Sequence, residues 1–193
     1  MSSPALHLYS TPQSSPTSRE RLTPSGSTVA ILSGPDVGVV ERVAGNVGYL
    51  ELGVFRDGDA CQRVLDAMAL LSDTSALIVD LRRARGGGRA MGALLASCLF
   101  DTEPAHVTEV YEPVLSERMR YPAHESSRTR YLGRDVYLLI GRQTSGAAEE
   151  LARGLASTGR AELVGEPTRS GVVPTLRVPA DTARDVALRE VGK

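Results

Sequence analysis

The chain has 193 residues, of which 41% are hydrophobic and 23% charged, and its formal net charge is −1. That length fits one domain and that composition a folded globular chain, which excludes a wholly disordered protein. The balanced charge supplies no basic field to hold nucleic acid or an anionic membrane, and no apolar run approaches the ~18 residues of a membrane span.

Residues 1–28 are rich in Ser, Pro and Thr and read as a flexible arm, although Leu6, Leu8 and Tyr9 offer a way to dock on the domain or on a partner. Residues 29–193 are expected to form a single α/β domain. Val37 to Val43 is strand-like, and Gly45-Asn46 signals a turn into NVGYLELGVF. There Leu50, Leu52 and Val54 share one strand face and Val47, Tyr49 and Glu51 the other. Asp59 is expected to cap a helix over about 60–72, with Val64, Leu65, Met68 and Leu71 on one face. ALIVDL (76–81) suits a strand buried on both faces. The glycine-rich loop RRARGGGR (82–89) leads to a helix over about 90–100 with Met91, Leu94, Leu95 and Cys98 at helical spacing. Val107 to Tyr111 is a further strand, and 112–134 a polar excursion. VYLLI (136–140) is a second buried strand, followed by a helix from Thr144-Ser145 to about Ser157. AELVG (161–165) is a strand, EPTRSG a turn and Ala180 to Val191 a closing helix. After the opening hairpin, helices and strands alternate, which predicts an α/β layered fold.

The loop DLRRARGGGR lies between a buried strand and a helix. Its glycines serve either a tight turn or an anion site built from backbone N–H groups. A dinucleotide fingerprint fails, because Met91 stands where the third Gly belongs. In GRQTSGAAEELARGL (141–155), Ser145 and Thr144 are natural helix caps, and Ser145 also sits where a strand-to-helix turn exposes a nucleophile. The G-x-S-x-G pattern is absent, so capping is the simpler role. If Ser145 were a nucleophile, His106 or His124 would be its base. His7, His106 and His124 have no metal-ligand spacing, and each is read as structural or solvated. Glu149 and Glu150 read as a solvated helix face, with Glu149 and Arg153 at i,i+4. The one lysine is Lys193, so lysine chemistry is nearly excluded, and with no Trp and two Phe the core must be Leu, Val, Ile and Ala. Cys61 and Cys98 form neither a metal pair nor a disulfide framework and read as buried thiols. The N-terminus has no basic start followed by an apolar stretch, so a cytoplasmic location is expected.

GNVGYLEL, ALIVDLRRARGGG, VYLLIGRQTSGAAEELARGL and AELVGEPTRSG, in that order over about 36–171, resemble the tail-specific (C-terminal processing) serine peptidase family. The interphotoreceptor retinoid-binding-like branch is the nearest in flavour. The resemblance implies a crotonase-like ββα core, here without room for a PDZ insert. It also implies a degenerate dyad. Where the family's third motif reads T-A-S-A-S/A-E, this chain has Thr144, Ser145, Gly146, Ala147, Ala148 and Glu149, so the nucleophile position is Gly146. Where the Ser/Lys peptidases read G-E-P-T-x-G-K, the lysine position is Gly171. The family's D-L-R-x-N-x-G-G loop, associated with its oxyanion hole, matches Asp80, Leu81, Arg82, Gly86 and Gly87, with Ala84 in place of its Asn.

Gly86, Gly87, Gly146 and Ala147 are therefore the expected oxyanion or ligand-binding positions. The primary expectation is a repurposed, non-proteolytic protein that binds an apolar small molecule, or catalyses a nucleophile-free cyclisation or isomerisation on it. An active hydrolase using Ser145 on a peptide and an oligomeric scaffold are the alternatives. No cofactor or metal is implied, nor a nucleic-acid or membrane partner, and a homo-oligomer fits the fold.

Overall fold

The computed structural model describes residues 35–100 and 130–191, together with the backbone of the strands at 19–22 and 28–31. One eight-stranded sheet runs in chain order: β1 (Arg19–Leu22), β2 (Thr28–Ile31), β3 (Val37–Val43), β4 (Val47–Leu52), β5 (Ala76–Asp80), β6 (Asp135–Ile140), β7 (Glu162–Gly165) and β8 (Leu176–Arg177). β1 to β4 pair antiparallel and β4 to β8 parallel. The helices are α1 (Asp59–Leu70), α2 (Arg89–Leu99), α3 (Ala147–Ser157) and α4 (Ala183–Val191). β1 falls inside the segment expected as an arm.

The expected strand pattern is observed where hydrophobicity was strongest. Every residue of β5 is buried, as its continuous apolar run requires. Leu50 and Leu52 enter one core while Val47 and Tyr49 enter the other. The first core packs Leu77, Val79, Leu138 and Ile140 beneath α1, α2 and α3. α1, α2 and α3 each connect two neighbouring parallel strands and share this core, which places them on one face of the sheet. The second core packs Ile78, Tyr137, Leu139 and Val164 beneath Ala183 and Ala187 of α4. The β3–β4 turn puts Gly45 at φ 79° and Asn46 at φ 59°, the left-handed region that these two residues tolerate best.

Three local expectations are corrected. Asp59 does not cap α1: Gly58 holds that position at φ 77° with no side-chain bond, and Asp59 lies in the first turn. Val54 leaves β4 and forms an isolated bridge with Arg85. The closing helix begins at Ala183, because residues 176–177 are drawn into the sheet as β8 by pairing with Val164 and Gly165. The candidate strand at 107–111 lies outside the described residues. Tyr131, within the stretch read as a polar excursion, is fully buried, with its hydroxyl on the Thr74 carbonyl at 3.0 Å.

Asp36 anchors the entry to β3. It is fully buried and paired with Arg56, after β4, and with Arg63 of α1. Burial opposes its charge, but hydrogen bonds and attraction from the two arginines outweigh that and hold its carboxyl below the usual range. A lowered carboxyl contributes stability that is complete above its unfolded value near about pH 4 and is lost as pH falls through the folded value. The stability gap between wild type and Asp36→Asn, followed by urea unfolding, should therefore shrink below about pH 4. A gap constant down to pH about 2 would refute the linkage.

Candidate functional site

The loops that follow β4, β5, β6 and β7 gather at the carboxyl ends of the parallel strands, where open α/β sheets place their sites. At their centre the glycine loop is threaded between two others. Arg85 donates its N–H to the Gly53 carbonyl (2.9 Å) and accepts from Phe55 N–H (2.7 Å), and Gly88 N–H reaches the Phe55 carbonyl (3.1 Å). From the other side Ser145 N–H donates to the Ala84 carbonyl (3.1 Å) and Ala147 N–H to the Gly86 carbonyl (2.9 Å). Gly86 takes φ 109°, and a Cβ there would lie 2.6 Å from the Phe55 carbonyl oxygen. The glycines thus serve a three-way backbone junction. Among the described residues, Gly86 and Gly87 N–H have no intramolecular acceptor, and both residues are exposed.

Gly146 is the residue before α3 and takes φ 65°, ψ −135°. This corrects the expectation that Ser145 or Thr144 caps the helix, which starts at Ala147 with no side-chain cap. Thr144 is buried instead, accepting Gly141 N–H (3.0 Å) and donating to the Leu81 carbonyl (2.7 Å), which locks the β6–α3 loop onto the end of β5. A Cβ on Gly146 would meet the Gly86 carbonyl oxygen at 2.4 Å. The same oxygen takes Ala147 N–H. One carbonyl therefore fills both the space of a side chain at 146 and the donor beside it.

Glu149 is not on a solvated face. It is buried, and the Thr168 hydroxyl donates to its Oε1, while Val172 N–H reaches the Thr168 hydroxyl at 3.0 Å. This strut ties α3 to the turn that ends at Gly171. Gly171 itself has φ 94°, with nothing near its missing side chain. Glu150 lies 3.5 Å from Arg89. His106 and His124, the bases expected for Ser145, lie outside the described residues, as does His7.

Sequence patterns of the peptidase family S41 match residues 46–188. The chain belongs to peptidase family S41. The motifs brought together at this junction are those on which the resemblance rested, and the fold is the mixed α/β core that it implied. A putative peptidase from Parabacteroides merdae is 15% identical, with a TM-score of 0.60 over 82% of this chain and 65% of that one. A putative S41 protease from Bacteroides fragilis is 17% identical, with a TM-score of 0.58 over 91% of this chain and 65% of that one. The photosystem II D1 C-terminal processing protease is 18% identical, with a TM-score of 0.53 over 76% of this chain and 46% of that one. This S41 chain thus spans less than two thirds of each of these three. Among its described residues no helix is long and apolar enough to cross a membrane.

Among the described residues, two open clefts flank the junction. One, of about 420 Å³, is lined by Arg85, Arg142, Gln143, Ser145 and Arg169. The other, of about 540 Å³, lies on the α4 side and mixes Arg82, Arg83 and Arg142 with Glu51, Asp80, Glu166 and Asp181. In its wall Tyr49 donates to Asp80 at 2.6 Å, and Arg82 Nε reaches both Asp80 oxygens at 3.0 Å. Burial, reinforced by the Asp80 carboxylate, pushes the Tyr49 phenol up, and hydrogen bonds to Asp80 raise Arg82. Neither cleft has the Leu, Val and Ala lining expected of an apolar pocket. Sequence reasoning missed the meeting in the first cleft of Arg85, Arg142 and Arg169, which come from three separate loops.

Proposed function

We propose that this chain is an S41-family protein without peptidase chemistry, a binding module whose site takes a polar, anionic ligand in place of the apolar molecule expected from sequence. The observation that carries this reading is the Gly86 carbonyl, which stands where a Cβ on Gly146 would begin, the position that the sequence resemblance aligns with the family's nucleophile, and which takes the neighbouring Ala147 N–H. An acyl-enzyme route needs a nucleophilic side chain at that point, and the open Gly86 and Gly87 N–H groups supply donors but no nucleophile. Ser145 is exposed one residue earlier, and its lined neighbours are guanidinium and amide groups. Guanidinium groups do not act as bases near neutral pH, so among the described residues nothing lining this cleft activates the Ser145 hydroxyl.

A fluorophosphonate serine probe applied to the folded protein tests the reading. No labelling is expected, for wild type or for Ser145→Ala. Labelling that disappears in Ser145→Ala would overturn the proposal in favour of a hydrolase that uses Ser145.

A further inference from the structure

The cleft around Ser145 carries more information than its polarity. Arg85 comes from the β5–α2 loop, Arg142 from the β6–α3 loop and Arg169 from the turn after β7, and the three line one cavity of about 420 Å³ with Gln143 and Ser145. No carboxylate lines it among the described residues. Arg142 lies 3.7 Å from Glu166, which faces the neighbouring cleft. Arg85 and Arg169 have no carboxylate partner among the described residues; Arg83, Arg153, Arg177 and Arg189 share that state, but none of them lines this cleft, and what sets Arg85 and Arg169 apart is that they meet a third arginine in one cavity. Two guanidinium groups without a carboxylate partner and a third only loosely paired with Glu166 thus share one space, which leaves it a net positive field that an anion would relieve.

Charge and geometry together select the anion. A single carboxylate has two oxygens and one negative charge, and one guanidinium fork satisfies it. A phosphomonoester has three terminal oxygens and about −1.5 to −2 charge near pH 7, which matches two unpaired guanidinium groups and a third only loosely held. Ser145 and Gln143 add neutral donors at the rim. We propose that this cleft binds the phosphoryl group of a phosphomonoester, held by Arg85, Arg142 and Arg169. The proposal deepens the anionic-ligand reading above and rests on it for the absence of hydrolysis at Ser145.

Phenyl phosphate titrated into the full chain by calorimetry tests it, with benzoate as the monoanionic counterpart. Saturable binding with a dissociation constant under about 1 mM is expected, at least about tenfold tighter than benzoate. Arg85→Gln and Arg169→Gln, both changes at exposed positions, should each weaken phenyl phosphate about tenfold, while Arg153→Gln, an exposed arginine of α3 outside the cleft, should leave it unchanged. Inorganic phosphate binding as tightly as phenyl phosphate would point to the free anion as the source, and much weaker binding to an organic ester. Absence of saturation, equal affinity for benzoate, or equal losses in all three variants would overturn the proposal. Those failures leave the labelling result untouched, so a wrong ligand class and a wrong reading of Ser145 are told apart.

Discussion

Gly146→Ser, which places a serine where the sequence resemblance puts the family's nucleophile, is expected to lower the melting temperature by about 4–24 °C and to yield no labelling by a fluorophosphonate. The first part follows from the backbone. φ 65°, ψ −135° is a conformation that costs a non-glycine residue about 1–3 kcal/mol. The new Cβ would also sit 2.4 Å from the Gly86 carbonyl oxygen, a backbone atom that cannot swing away as a side-chain end can. Overpacking of that kind adds about 1–3 kcal/mol, and each kcal/mol shifts a domain of this size by about 2–4 °C. The second part follows from Ala147 N–H. To admit the serine, the Gly86 carbonyl must turn, yet Gly86 is fixed at φ 109° against Phe55 and its segment is bonded on both sides. Gly171→Ala offers the contrast, because its missing side chain meets nothing and only the φ of 94° is strained. It should cost about 1 kcal/mol. A Gly146→Ser protein that melts like wild type and takes up the probe would show that the junction is a poised active site.

The elements that sequence made legible are those whose burial is uniform or strictly alternating. β5 and β6 are apolar runs, and the sheet buries them from both sides. Residues 47–52 alternate, and the two cores divide them accordingly. The order of the four motifs was enough to point to the family, since it follows the loops that meet at the strand ends. What stayed hidden depends on contacts between loops. Ser145 and Asp59 have the chemistry of helix caps, yet Gly146 and Gly58 occupy those positions, because φ near +65° to +77° is what the incoming chain requires there. Ser145 is held through its backbone by Ala84, which no local pattern encodes. Glu149 looks like any acid in a first helical turn, and only the return of Thr168 from the β7 loop buries it. The arginine cleft was illegible for the same reason: in a chain with one lysine, three arginines on three loops do not stand out until the fold brings them together. The expectation of an apolar site came from the room left by glycines at 146 and 171 and from a Leu, Val and Ala lining that no local pattern could place; the described residues of the two clefts supply mainly charged and amide groups instead.

A loss of stability of comparable size is expected from Asp80→Ala. Asp80 ends β5 and is buried, and its removal takes from the Tyr49 hydroxyl and from Arg82 the carboxylate that they share. The Tyr49 hydroxyl donates to it at 2.6 Å, Arg82 donates through both its backbone N–H and its Nε at 3.0 Å, and the Arg82 guanidinium also reaches the Ala180 carbonyl ahead of α4. Arg184 of α4 stacks 4.0 Å above the Tyr49 ring and pairs with Glu41 at 2.7 Å. The carboxylate is therefore the node through which the closing helix is fastened to the middle of the sheet. Breaking a buried charge pair from one side costs about 3–5 kcal/mol, because the other charge remains without compensation. At about 2–4 °C per kcal/mol the melting temperature should fall by roughly 6–20 °C. Asp80→Asn keeps an acceptor for Tyr49 but not the charge opposite Arg82, so it should fall between wild type and Asp80→Ala. The loss should also be local before it is global: α4 rests on few buried residues, Ala183 and Ala187 among them, and its amides should exchange faster in Asp80→Ala well below the melting temperature. Hydrogen exchange read by mass spectrometry over 178–191 checks this. Unchanged protection there, with a melting temperature within about 2 °C of wild type, would mean that α4 is held by the apolar face alone.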